Sequence, residues 1–78
     1  MAIRTVFVEN LKRIRAQQGI SQETLALKAG VERAYIGLLE RKKSSPTIDM
    51  VEKIAKVLKV RPDELLKPPS SAKGGADR

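Results

Sequence analysis

The stretch Gly19-Ile20-Ser21-Gln22-Glu23-Thr24-Leu25-Ala26-Leu27-Lys28-Ala29-Gly30-Val31-Glu32-Arg33-Ala34-Tyr35-Ile36-Gly37-Leu38-Leu39-Glu40 reads as two brief helices with a turn between them. Gly19 supplies the positive φ that commonly ends a helix, and Ser21 caps the next by accepting from an unpaired backbone N–H. That next helix spans about Gln22 to Ala29 and turns Leu25 and Ala26 inward. Gly30 stops it. Val31 follows as a core residue, and a third segment runs from Arg33 to Arg41 with Ile36 and Leu39 as its core contacts. Only a narrow stripe of this third segment is apolar, which leaves most of its surface for something other than packing.

Upstream, Phe7, Leu11 and Ile14 recur at i, i+4 and i+7, the stripe of an amphipathic helix from about Val6 to Gln18. The β-branched run Thr5-Val6-Phe7-Val8 competes as an extended segment on propensity alone, but its period continues helically into Leu11 and Ile14. Downstream, Thr47 caps a fourth helix with Asp49 in its first turn. Its inward stripe is Ile48, Val51, Ile54, Ala55 and Leu58. Pro62 fits the first position of a fifth, followed by Asp63 and Glu64 and the apolar pair Leu65-Leu66. The expected fold is all-α, a five-helix domain over residues 1–66. Residues 67–78 change to Pro, Gly, Ser and Lys with Ala as the one apolar type, and are expected to form a disordered tail.

The 78 residues, 8.6 kDa, suffice for one small core and not two. Sixteen Lys and Arg against nine Asp and Glu leave +7 at pH 7, which favours polyanionic partners. With neither Cys nor His in the chain, thiolate and imidazole chemistry is excluded, so an enzyme, a metal site or a cofactor is not expected. No apolar run approaches a bilayer span, and the first fifteen residues lack the pattern of a signal peptide, so a cytoplasmic location without membrane contact is expected.

Two short helices joined by a Gly-containing turn, the second nearly bare of core residues on one side, describe a helix-turn-helix by geometry alone. The series Gly19-Ile20-Ser21-Gln22-Glu23-Thr24-Leu25-Ala26, Ala29-Gly30-Val31, Tyr35-Ile36, Leu39-Glu40-Arg41 and Pro46-Thr47-Ile48 resembles the Cro/cI-repressor (XRE-type) family over about residues 5–66. The Tyr-Ile-x-x-x-Glu-Arg stretch and small size are similar to its restriction-modification controller proteins. The resemblance implies a lambda-repressor-like DNA-binding fold, with a recognition helix at about Arg33 to Glu40 in the major groove and Gln22, beside its cap Ser21, gripping phosphate. A helix N-terminus suits that grip, because its N–H groups are unpaired and its partial charge is positive.

Arg33, at the exposed start of the third helix, carries a planar fork that meets guanine O6 and N7 together, worth about 1–3 kcal/mol of discrimination. Ala34 and Leu38 offer apolar contact to thymine methyls. Glu32 is either a helix cap or an acceptor from cytosine, and Tyr35 either packs between helices or reaches a phosphate. Gly37 costs about 1 kcal/mol against Ala in mid-helix, which a close approach of DNA or of another helix would explain. Arg41, Lys42, Lys43 and Ser44 form the basic loop that in this family runs along the backbone. By the same resemblance, Arg15 and Glu40 occupy positions commonly joined as an ion pair. Lys42 and Lys59 stand where the family usually has Gly, so each is expected at positive φ at a cost of about 1 kcal/mol.

The function expected is a sequence-specific transcriptional regulator that binds double-stranded DNA at a two-fold-symmetric operator as a homodimer. Val60, Leu65 and Leu66, with Ile3, are the candidate interface or else close the subunit's own core. Two rivals stand beside this reading: an antitoxin that represses its own operon and covers a toxin protein, and a helical protein-interaction module without DNA binding. With Phe7 and Tyr35 the only aromatics, a stacking platform for single-stranded RNA is absent.

Overall fold

The order of elements in the computed structural model, which describes residues 2–68, is α1 (Ile3–Gln18), α2 (Gln22–Ala29), α3 (Arg33–Glu40), α4 (Ile48–Leu58) and α5 (Pro62–Leu66). Of the tail expected to be disordered, residues 67–78, all but residues 67 and 68 lie outside that range. No strand occurs among the described residues. The run Thr5 to Val8 is helical, and α1 begins three residues earlier than its stripe indicates. Val6, Phe7 and Val8 are all buried there, so tertiary packing outweighs the β-branched preference.

The caps follow the sequence closely. Ser21 Oγ accepts from the Thr24 N–H at 3.0 Å, and Thr47 Oγ1 from the Met50 N–H at 3.0 Å. Gly19 and Gly30 end α1 and α2 in the left-handed region at φ 67° and 75°. Lys59 takes the same role after α4 at φ 60°, and Lys42 adopts φ 60° one residue beyond the cap of α3. Each lysine therefore carries the Cβ clash that glycine would avoid. Helix α3 ends at Glu40, one residue short of the expected Arg41.

Phe7, Leu11, Leu25, Ile36, Leu39, Ile54, Leu58 and Leu65 are fully buried and form the centre of a single core. Helices α2 and α3 pack together, α1 lies against α3, α4 and α5, and α4 closes the core against α2 and α5. Two expectations need correcting. Ile48 does not join the inward stripe of α4: it is 87% exposed, because it occupies the first helical position, where the stripe has run past the last element able to cover it. Leu65 is not available to a partner subunit, since it is 0% exposed within its own subunit.

What fixes the rotation of α5 is Asn10, itself fully buried on α1. Its Nδ2 donates to the carbonyls of Leu65 (3.0 Å) and Lys67 (2.8 Å), while its Oδ1 accepts from Arg13 at 3.0 Å. Five residues cannot hold a helix by their own hydrogen bonds. The Asn10 clamp and the Leu65 anchor do so instead, leaving Leu66 and Val60 half-buried at the edge of the core.

Candidate nucleic-acid interface

Helix α3 is held from beneath by Ile36 and Leu39, each 0% exposed, and presents its opposite side outward. Arg33 and Ala34 are exposed at its start and Leu38 is partly so. The start of α2 comes alongside, and between the two lies a cleft of about 310 Å³ lined by Gln22, Arg33, Ala34, Gly37, Leu38 and Arg41. Six residues singled out in the sequence for contact with DNA thus converge on one concave surface.

Gly37 is buried, yet no backbone of another helix explains it. A Cβ there would meet Arg41 Nη1 at 3.4 Å and Gln22 Oε1 at 4.0 Å. The guanidinium of Arg41 lies back over its own helix one turn earlier, at a distance that a Cβ would meet in ordinary van der Waals contact, so packing within the subunit does not demand glycine here. Glu32 sits at the N-cap position but its carboxylate does not cap the helix, so the capping alternative falls. Tyr35 is half-buried against the core, the packing alternative of the two.

Beyond α3 the chain turns through Lys42 and Lys43. The Lys43 N–H donates to the Leu38 carbonyl at 2.9 Å, and Arg4 Nη1 donates to the Lys42 carbonyl at 3.2 Å. Arg4, which no sequence motif singles out, therefore ties the start of α1 to the basic loop. Arg41, Lys42 and Lys43 are exposed and Ser44 is half-buried. Among the described residues, no carboxylate lies within 4.0 Å of Arg33, Arg41, Lys42 or Lys43. Arg33 and Arg41 thus line the cleft without carboxylate partners, and Lys42 and Lys43 follow Arg41 in the adjoining loop, an arrangement suited to phosphate oxygens.

The Arg15–Glu40 pair is present and bidentate, with Nε to Oε2 at 2.8 Å and Nη2 to Oε1 at 2.9 Å, while Nη1 donates to the Ile20 carbonyl at 2.9 Å. A third member has no counterpart in the sequence reading: Gln22 Nε2 donates to Glu40 Oε1 at 2.9 Å. The network joins α1, the start of α2 and the end of α3, and only 6% of the Glu40 side chain is exposed. Gln22 reaches the cleft with one amide N–H already engaged, leaving its second N–H and the unpaired backbone N–H groups of the first turn.

On another side, Ile3 and Ile48 are exposed at 63% and 87%. Two adjoining depressions, about 210 and 270 Å³, share Ile48, Val51 and Leu66 in their walls, and the first continues to Ile3, Arg4, Phe7, Ser45 and Pro46. This apolar surface abuts the basic loop through Ser45 and Pro46.

The helix-turn-helix family profile matches residues 11–65, well over half of the chain. A hypothetical transcription factor of Neisseria meningitidis is 37% identical over 67 residues, covering 86% of this chain and 63% of its own length, so the chain spans less than two thirds of that relative. The crystal structure of the Neisseria factor superposes with a TM-score of 0.90 at 34% identity, over 94% of this chain and 84% of that one. Control protein C.BamHI of Bacillus amyloliquefaciens is 38% identical over 65 residues, 82% of this chain and 80% of its own. A crystal structure of SinR, a master regulator for biofilm formation, in complex with DNA matches with a TM-score of 0.74 at 35% identity, over 78% of this chain and 98% of that one.

Proposed function

Since the chain belongs to the helix-turn-helix family, we propose that it is a DNA-binding transcriptional regulator whose α3 enters the major groove of a two-fold-symmetric operator. The observation that carries this reading is the cleft at the α2–α3 junction, where Arg33, Ala34 and Leu38 face outward with Arg41 in the same wall, and neither arginine has a carboxylate partner among the described residues. Arg33 reads a guanine, Ala34 and Leu38 meet thymine methyls, and Gln22 with Arg41, Lys42, Lys43 and Ser44 holds phosphates. Such a protein works in the cytoplasm, and among the described residues no helix is long and apolar enough to cross a membrane.

The two roles are separable by mutation. Arg33→Ala should relax the choice of base at one position per half-site and cost about 1–3 kcal/mol on the preferred sequence, whereas Lys43→Ala should weaken all duplexes alike. Equal losses for both variants on every sequence would remove Arg33 as the reader.

A homodimer through the Ile3–Ile48–Leu66 face is part of the same proposal. Burial of Leu65 removes one of the candidates, while Ile48, Ile3 and half-buried Leu66 supply a contiguous apolar surface next to the loop that follows α3. A two-fold axis there doubles the few base pairs that one short helix can read. Ile48→Glu should give a folded monomer in sedimentation, because Ile48 contributes almost nothing to the subunit's own core. An unchanged dimer would place the interface elsewhere.

A further inference from the structure

A shallow groove of about 400 Å³ runs between the last turn of α2 and the C-terminal half of α4, lined by Lys28, Ala29, Lys53, Lys56 and Val57. It shares no residue with the α2–α3 cleft. On α2, Lys28 lies six residues beyond Gln22, about 9 Å along the axis and about 240° around it, so the two surfaces look in different directions. Three ammonium groups therefore gather where the proposed operator contact gives them no role.

Among the described residues no carboxylate comes within 4.0 Å of Lys28, Lys53 or Lys56. The nearest acidic positions on α4 do not fill the groove: Glu52 lines the apolar depression with Ile48 and Pro62, and Asp49 is exposed in the first turn. Lys53 and Lys56, one turn apart, repel each other. The floor, by contrast, is apolar, made of buried Ala29 and half-buried Val57.

We propose that this groove docks an acidic segment of a partner protein that carries an apolar side chain between its carboxylates. The apolar side chain covers Ala29 and Val57, and the carboxylates pair with the three lysines, whose aliphatic stems lie along the segment. A phosphate backbone matches the charge but offers nothing to the apolar floor, which decides for a protein segment over a second stretch of nucleic acid. The inference stands apart from the operator reading, since its residues lie outside the α2–α3 cleft and the peptide titration contains no DNA.

The test is an amide NMR titration of the full chain with the synthetic peptide Asp-Asp-Leu-Asp-Asp-Leu-Asp-Asp, beside octa-aspartate and a version with Asn for every Asp. The expected result is that the first peptide shifts Lys28, Ala29, Lys53, Lys56 and Val57, and binds more tightly than either control. Lys53→Glu combined with Lys56→Glu should weaken it by roughly tenfold or more, as two reversed surface charges allow. Both positions are exposed, and Lys28→Ala is a milder second variant. The proposal is overturned if the largest shifts fall on Arg33 and Arg41 to Ser44, if octa-aspartate binds as well as the leucine peptide, or if no shifts occur. It is also overturned if the lysine variants lose duplex affinity to the same degree, which would make the groove a nucleic-acid contact.

Discussion

Replacing Glu40 by Ala is expected to cost the domain about 3–5 kcal/mol in urea or thermal unfolding. Glu40 accepts from Arg15 twice and from Gln22 once, and its side chain is 6% exposed against 20% for Arg15. Removing it strands a guanidinium that water reaches only in part, so the lower end of the range applies. Domains of this size have a total stability of only about 0.05–0.15 kcal/mol per residue, so the variant should sit near the edge of folding. Removing Arg15 in the same chain should recover part of the loss, because the stranded charge goes with it. A Glu40→Ala variant within about 1 kcal/mol of the parent would show the network to be no more than a surface ion pair.

The second large effect is on affinity. Arg41, Lys42 and Lys43 give three phosphate-facing cations per subunit at the proposed interface, hence six in a two-fold pair. Neutralising about 6–10 phosphates should make duplex binding fall roughly 10³–10⁵-fold between 50 and 200 mM salt. Deleting one loop lysine should lower the slope of log affinity against log salt by about 1 for each phosphate that this lysine neutralises. A flat salt titration would mean that these side chains do not meet phosphate, whatever the protein binds.

Much of the fold can be read from the chain because its helix ends are marked by residues with one evident local role. Ser21 and Thr47 cap, Gly19 and Gly30 take positive φ, and Pro62 opens α5. Even Lys42 and Lys59 are legible, as departures from Gly at positions whose conformation the following turn dictates. What periodicity cannot supply is how far a neighbour extends. Ile48 keeps the register of the buried stripe of α4, yet nothing reaches over the first turn to cover it. Likewise Leu65 and Leu66 are equivalent as letters. Which one faces inward follows from Asn10 holding the Leu65 and Lys67 carbonyls, a contact across more than fifty residues.

The site divides the same way. Residues placed by one helix face, such as Arg33, Ala34 and Leu38, fall together as the spacing implies. The Arg15–Glu40 pair is accessible only through resemblance, and its extension to Gln22 depends on the turn that brings the first residue of α2 beside the last of α3. Arg41 folds back over Gly37, a side-chain conformation with no signature in the sequence.

Selection of bound duplexes from a random pool, carried out with the parent chain and with Arg33→Ala, bears most directly on sequence-specific binding through α3. The expected result is a two-fold-symmetric consensus with half-site centres about 34–36 Å apart and a guanine in each half that Arg33→Ala no longer requires. A folded protein that enriches no sequence, or an identical consensus from both chains, would contradict it.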